Sequence, residues 1–182
     1  METGLQAGLR LHKFKQNTEL PRVRTALGIL RSLQPENLLD IGSGRGTFLW
    51  PLLADFPSLP VTSAEIGDRR SSDLAAVRKG GVRRLTVVRA DVHRLPFAPR
   101  SFDVVTMLEV LEHLADPQLA LREGLRSARR SVVVSVPSTP DENPEHLHLF
   151  SMGQLTEMAM ASGATRTAFE HVANHRVMLA QI

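Results

Sequence analysis

Cysteine and tyrosine are both absent from the 182-residue chain. Without a thiol there is no disulfide, no thiolate metal site, no iron–sulfur chemistry and no cysteine nucleophile. Without a phenol, no tyrosine serves as acid, base or nucleophile. Aromatic residues make up only 4% of the chain, with a single tryptophan. No apolar run reaches the ~18–20 residues of a membrane helix. The first ten residues lack the basic-then-apolar order of a signal peptide, so the expected compartment is the cytoplasm, with no membrane partner.

A strong net charge is missing as well. Twenty-two Lys+Arg against 19 Asp+Glu leave +3, although the isoelectric point is about 10.1. The two values agree because nineteen of the 22 basic residues are arginine, whose very high pKa delays neutralisation. The pairs Arg69-Arg70, Arg83-Arg84 and Arg129-Arg130 are spread along the chain. They read as a solvated surface more than as a nucleic-acid face.

What is present is alternation. With 42% hydrophobic residues, this length supports one ordinary domain with a real core. Leu20, Val23, Leu27 and Leu30 recur at helical spacing and stop before Pro35. Strands are expected at 37–41, 60–66, 84–89, 102–107 and 131–136, separated by helices at 47–56, 69–79 and 116–128. A further helix covers 152–161, and 165–171 and 175–182 form a hairpin around Ala173-Asn174. The fold class is therefore α/β, an open, doubly wound and mostly parallel sheet with helices on both faces and a C-terminal antiparallel hairpin. Residues 1–34 read as an N-terminal helical segment and 35–182 as one compact unit. Within the first segment, Leu9, Leu11 and Phe14 alternate with His12, Lys13 and Lys15. That pattern suits a lid over the site, a contact in a homodimer, or a frayed end.

Ligands of such sheets sit beyond the carboxyl ends of the strands, where strand order reverses. The first strand runs into Asp40-Ile-Gly42-Ser-Gly44-Arg-Gly46, whose alternate glycines allow a tight turn and close approach to a ligand. Glu65 ends the second strand, where a carboxylate can accept both hydroxyls of a ribose. Asp91 and Val92 follow the third, where a short side chain can meet an adenine amino group. Three glycines together with acids at three successive strand ends are hard to obtain by accident.

This text resembles the class I (Rossmann-like) S-adenosylmethionine-dependent methyltransferases. The resemblance rests on Leu39-Asp-Ile-Gly-Ser-Gly-Arg-Gly46, Glu65, Ala90-Asp91-Val92 with Leu95-Pro96-Phe97, Phe102-Asp-Val-Val105 and Glu109-Val-Leu-Glu-His113. It implies S-adenosyl-L-methionine as cofactor. Gly42 and Gly44 would line its methionine moiety with Asp40 nearby, Glu65 would bind the ribose, and Asp91 and Val92 the adenine. Met107 would close the pocket. A nicotinamide-dependent dehydrogenase shares the fold but not the Gly-x-Gly-x-Gly spacing.

Methyl transfer from a sulfonium is an in-line displacement that needs a positioned and, for a hydroxyl, deprotonated nucleophile. Glu109, Glu112 and His113 stand at i, i+3 and i+4, which places them on one face of a helical turn. After the fifth strand, Glu145-His146-Leu-His148-Leu-Phe150 suggests an extended piece with both imidazoles on one side. Glu112, His113 and His148 are the expected catalytic residues. Glu109, Glu112, His113 and His148 together supply a donor set for Mg²⁺ or Mn²⁺. Here the text resembles ubiquinone-pathway O-methyltransferases and small-RNA 3′-terminal 2′-O-methyltransferases. The same residues also suit a plain structural role, with His113 packed beside the cofactor and Glu112 capping or facing water. Trp50 reads as core packing, and His171 and His175 as surface histidines flanking the hairpin turn.

Two absences narrow the acceptor class. No Asn/Asp-Pro-Pro-aromatic run follows the fourth strand, which argues against adenine-N6 and protein-glutamine methylation. The lack of cysteine removes cytosine-C5 methylation through a covalent adduct. The expected reaction is methyl transfer to a hydroxyl of a small-molecule substrate. RNA 2′-O-methylation and a catalytically inactive cofactor-binding module are the alternatives.

Overall fold

A computed structural model describes residues 20–140 and 142–182. Helix α1 (Pro21–Leu33) starts on a proline at its first turn and ends where Gln34 turns left-handed ahead of Pro35. Then follow β1 (Leu38–Ile41), α2 (Leu49–Asp55), β2 (Val61–Glu65), α3 (Asp68–Lys79) and β3 (Leu85–Arg89). The second half comprises β4 (Phe102–Leu108), α4 (Pro117–Ser127), β5 (Ala128–Pro137), α5 (Met152–Ala161), β6 (Arg166–Val172) and β7 (His175–Gln181). Each expected element is there, within a few residues of its expected bounds. The fifth strand is longer at both ends, because Pro137 still pairs with His175 across the antiparallel edge.

The seven strands lie in the order β3-β2-β1-β4-β5-β7-β6. All neighbours from β3 to β5 are parallel, and β7 is antiparallel to both β5 and β6. The order reverses between β1 and β4, which opens the ligand crevice at the carboxyl ends of those two strands.

Alternation along each strand sorts the side chains onto two cores. Leu39, Ile41, Val105, Met107, Val132, Val134 and Met178 face α4 and α5. Leu38, Val61, Val104, Val133 and Val177 face the other way, against Val23, Leu27 and Leu30 of α1, Leu49 and Leu52 of α2, and Leu74 of α3. Helix α1 thus fills one face of the sheet. Helix α4 approaches β4 closely at Gly124, where an added Cβ would lie 2.9 Å from Met107 Sδ. The lid, dimer contact or frayed end expected of the earlier N-terminal residues falls outside the described residues.

Candidate cofactor and acceptor site

The first constellation grows from strand register. Ser63 of β2, Asp40 of β1 and Thr106 of β4 are aligned partners across three strands and share one face. Asp40 is almost fully buried. Ser43 Oγ donates to its Oδ2 at 2.5 Å, Thr106 Oγ1 donates to its Oδ1 at 2.7 Å, and Ser43 and Ser63 hydroxyls meet at 2.7 Å. Burial pushes the Asp40 carboxyl up to about 6, against the pull of the Ser43 and Thr106 hydrogen bonds, and the nearby Glu65 charge adds to the rise. Asp40 therefore organises the turn from beneath.

Above it the chain turns through Gly42, Gly44 and Gly46, each with positive φ, at 70°, 56° and 82°. The requirement for glycine is most severe at Gly42 and Gly46. An added Cβ on Gly42 would lie 2.7 Å from Val110 Cγ2, and one on Gly46 would lie 2.0 Å from the Trp50 indole nitrogen. Trp50 covers the loop and donates its indole N–H to Arg45 O at 3.0 Å. The Gly44 N–H donates to the buried carboxylate of Glu65, tying the glycine turn to the end of β2.

Gly42, Ser43 and Gly44, with Asp40, Arg45, Leu108, Glu109 and Arg22, line a cleft of about 220 Å³. A larger, more open groove lies at the opposite ends of the strands, between Gln34–Glu36 and Asp55–Pro60, and carries none of this chemistry. At the rim beyond β3, Asp91 is exposed and turns on itself. It accepts the His93 backbone N–H at 2.9 Å and meets its ring Nδ1 at 2.8 Å, and these bonds hold its carboxyl below the usual range. Val92 beside it is buried.

Two expectations change. Met107 is fully buried and points at Gly124 on the far face of the sheet, so it does not close the pocket. The residue that lines the cleft is its neighbour Leu108, because successive strand residues face opposite ways. Glu109, Glu112 and His113 do not share a helical face either. Glu109 sits left-handed at φ 57°, and only Leu111–His113 form a single 3₁₀ turn.

Glu109 instead turns toward β5 and β7. Its Oε1 accepts Ser135 Oγ–H at 2.6 Å, its Oε2 accepts His175 Nε2–H at 2.9 Å, and Arg22 Nε stands 3.5 Å away. The other ring nitrogen of His175 donates to Ala173 O at 3.0 Å, so both nitrogens face acceptors and favour the imidazolium. The hydrogen bond that His175 donates to Glu109 raises the His175 pKa, against the opposing effect of burial. Burial works to raise Glu109, but the bonds from His175 and Ser135 outweigh it and hold the carboxyl low. His175 is thus a half-buried clasp, not a surface residue, whereas His171 is exposed.

The loop after β5 runs back under the 3₁₀ turn. Leu147 N–H donates to Glu112 O at 2.7 Å. His113 Nδ1 lies 3.0 Å from Glu145 O, and the His113 and His146 rings meet edge to face with centroids 4.7 Å apart. Donor atoms of Glu112, His113 and His146 all lie within 4.8 Å of one another. His148 is held apart from this group: its Nε2 meets Leu114 O at 2.8 Å and its ring lies against Phe150. The four donors expected around one Mg²⁺ or Mn²⁺ are therefore not brought together. The alternation did place both imidazoles on the inner side, with Leu147 and Leu149 facing solvent.

Arg22, Ser63, Thr106 and Ser135 were not singled out from sequence. Strand alternation marks Thr106 and Ser135 as polar residues on buried strands, a signal that was there. Nothing local brings Arg22 or His175 to Glu109.

The fold and the site define an α/β nucleotide-cofactor protein with an Asp-supported glycine turn. Residues 39–135 match the methyltransferase domain family, and the chain belongs to that family. It is 32% identical over 153 residues to a demethylmenaquinone methyltransferase of Beutenbergia cavernae, covering 82% of this chain and 61% of the relative. It is 33% identical over 115 residues to a malonyl-[acyl-carrier protein] O-methyltransferase of Laribacter hongkongensis, covering 59% of this chain and 38% of the relative. The chain spans about half the length of the curated relatives it matches, 38–61% of them. A SAM-dependent methyltransferase of Aquifex aeolicus superposes with a TM-score of 0.75 at 18% identity, over 92% of this chain and 93% of that one. The CurJ carbon methyltransferase superposes at 0.75 with 16% identity, over 97% and 58%. These likenesses show the fold, and the carbon enzyme among them shows that the fold leaves the acceptor atom open.

The family implies S-adenosylmethionine, and the residues present fit it. Three left-handed glycines keep side chains out of the turn, one buried carboxylate ends β2, and one exposed carboxylate with an apolar neighbour follows β3. No helix among the described residues is long and apolar enough to cross a membrane.

Proposed function

We propose that this chain transfers the methyl group of S-adenosylmethionine to a hydroxyl of a small molecule that carries an apolar portion. When bound, the cofactor supplies an electrophilic methyl group on sulfur. In this reading Gly42 and Gly44 admit its methionine end, with Arg22 and Arg45 as the cations that line the cleft, Glu65 meets the ribose, and Asp91 with Val92 frames the adenine. The observation that carries the acceptor assignment is the tautomer of His113. Its Nδ1 donates to the Glu145 carbonyl at 3.0 Å, which leaves Nε2 as the ring nitrogen available to take a proton from an acceptor. His113 is the base, and His148, whose Nε2–H is taken up by Leu114 O, positions the loop. Glu112 is fully buried, with a carboxylate oxygen within 4.8 Å of a His113 ring nitrogen. Leu147 and Leu149 of that loop and Met152 at the start of α5 are exposed and are the candidate seat for the apolar portion of the acceptor. A relative named as a malonyl-[acyl-carrier protein] O-methyltransferase is consistent with an oxygen acceptor, while the name of a demethylmenaquinone methyltransferase does not specify the atom methylated.

The test is methyl transfer from labelled cofactor to phenolic and catecholic acceptors with and without an alkyl tail. RNA 3′ ends and primary amines serve as competing acceptors. Transfer to the tailed phenol is expected, and His113→Gln should lower its kcat by about 10²-fold or more. Turnover of amines or RNA alone, or full activity in His113→Gln, would refute the assignment.

A further inference from the structure

We infer that His93 is a positioning residue for the cofactor's adenine: it fixes the Asp91 carboxylate by one oxygen and leaves the other for the exocyclic amino group. The inference rests on the proposed reading of Asp91 as the acceptor for that group. Both His93 bonds fall on the same atom. Asp91 Oδ1 accepts the His93 backbone N–H at 2.9 Å and the ring Nδ1–H at 2.8 Å. An ionised carboxylate only accepts, so Nδ1 carries the ring proton and Oδ2 keeps its lone pairs for a ligand N–H. The same two bonds hold the carboxyl below its usual range, which keeps it charged at neutral pH.

The backbone beneath is pinned on both sides. Ala90 N–H donates to Glu65 O and Arg94 N–H to Asp91 O, each at 3.0 Å, so Asp91 stays beside the end of β2. Farther along, Glu123 of α4 accepts Leu95 N–H at 3.0 Å, and Arg126 donates to Phe97 O at 2.7 Å and to Leu95 O at 3.2 Å. What the backbone leaves free is the Asp91 side chain, which is 52% exposed, and the His93 ring removes that freedom. The ring is itself wedged in place, since its Nε2 is buried without a hydrogen-bond partner among the described residues. A buried polar atom left unpaired is a cost that a histidine turned to solvent would avoid. An exposed pair of this kind adds little to stability. Its effect is preorganisation, which spares the cofactor the ordering of the carboxylate on binding.

Calorimetric titration of the full chain compares S-adenosylhomocysteine with its analogue carrying hydrogen in place of the exocyclic amino group. The parent should prefer the amino ligand by about tenfold or more. His93→Ala should weaken the amino ligand by about two- to tenfold and leave the analogue unchanged, so that the preference narrows. His93→Asn, whose side-chain N–H starts from the same place, should restore it. Equal weakening of both ligands, as a merely structural residue would give, overturns the proposal, and so does an unchanged preference in His93→Ala. Asp91→Ala separates the two levels. If it closes the gap while His93→Ala does not, the adenine reading stands and the role of His93 falls. If it leaves the gap open, or the parent shows no gap, both fall. His93→Leu, which keeps apolar bulk without the donor, takes the place of alanine if thermal melting shows that variant unfolded.

Discussion

At the scale of single residues, the fold places costly groups where the ligand is to sit. Asp40 is a carboxylate 2% exposed whose pKa stands at about 6 against 3.8 for the free side chain. A raised acid pKa means the native state holds the proton longer than the unfolded chain. Stability is therefore highest below pH 3.8 from this group alone and declines as pH rises toward 6. The loss amounts to about 3 kcal/mol when complete. Asp40→Asn should flatten that decline in denaturant titrations at pH 4, 5 and 7; a parallel fall in both proteins would show that Asp40 is not its source. Gly42 is the second such residue. Alanine there combines a left-handed backbone with a Cβ 2.7 Å from Val110 Cγ2. Gly42→Ala should cost about 2 kcal/mol in stability and weaken binding of S-adenosylhomocysteine. Thermal melting and calorimetry give the two readings, and parental values in both would mean the turn relaxes freely.

Between elements, the Glu109–His175 pair joins the end of β4 to the start of β7, with Arg22 of α1 alongside. Glu109 is lowered and His175 raised by what is one bond seen from two sides, so it counts once. On the alkaline side its contribution is present in full below pH 6.5 and is lost as pH rises through the raised His175 value. On the acid side it is present above 4.5 and fades as pH falls through the lowered Glu109 value. His175→Gln should cost about 2 kcal/mol near pH 6 and remove the alkaline decline in melting temperature. An unchanged pH profile in the variant would assign that decline elsewhere. This pair was invisible beforehand, since position 175 looks like any histidine beside a hairpin turn. Helical spacing from Glu109 through His113 misled for a related reason. Ser135 and His175 draw Glu109 to the opposite side, and its backbone takes a left-handed value that no helix contains. Tertiary hydrogen bonds outweighed local periodicity there.

At the scale of the whole molecule, strand β7 is interior. It lies between β5 and β6 and contributes Val177, Met178 and Ala180, all fully buried, to both cores. Removing residues 163–182 would strip one side of β5 and open both cores, so the shortened chain should be unfolded by far- and near-ultraviolet circular dichroism. A native-like spectrum with a cooperative melt would show that the hairpin is dispensable. Because α1 fills one face and the hairpin completes the sheet, the described residues should unfold in one transition. Trp50, seated on the glycine turn, is the natural probe of it.

Alternation of apolar runs with helical stretches was enough to determine the α/β class, the number of strands, the terminal hairpin and the glycine turn with its acids at three strand ends. Those features follow from local periodicity and from residues whose backbone needs are written in their own chemistry. Which side chains share a site was decided by tertiary structure. Strand parity sent Met107 into the core and Leu108 to the cleft, register aligned Ser63, Asp40 and Thr106, and loop closure brought His146 to His113 while His148 went to Leu114. Distances between segments far apart in sequence depend on how strands pair and how a loop packs, and the linear order of residues carries no record of either.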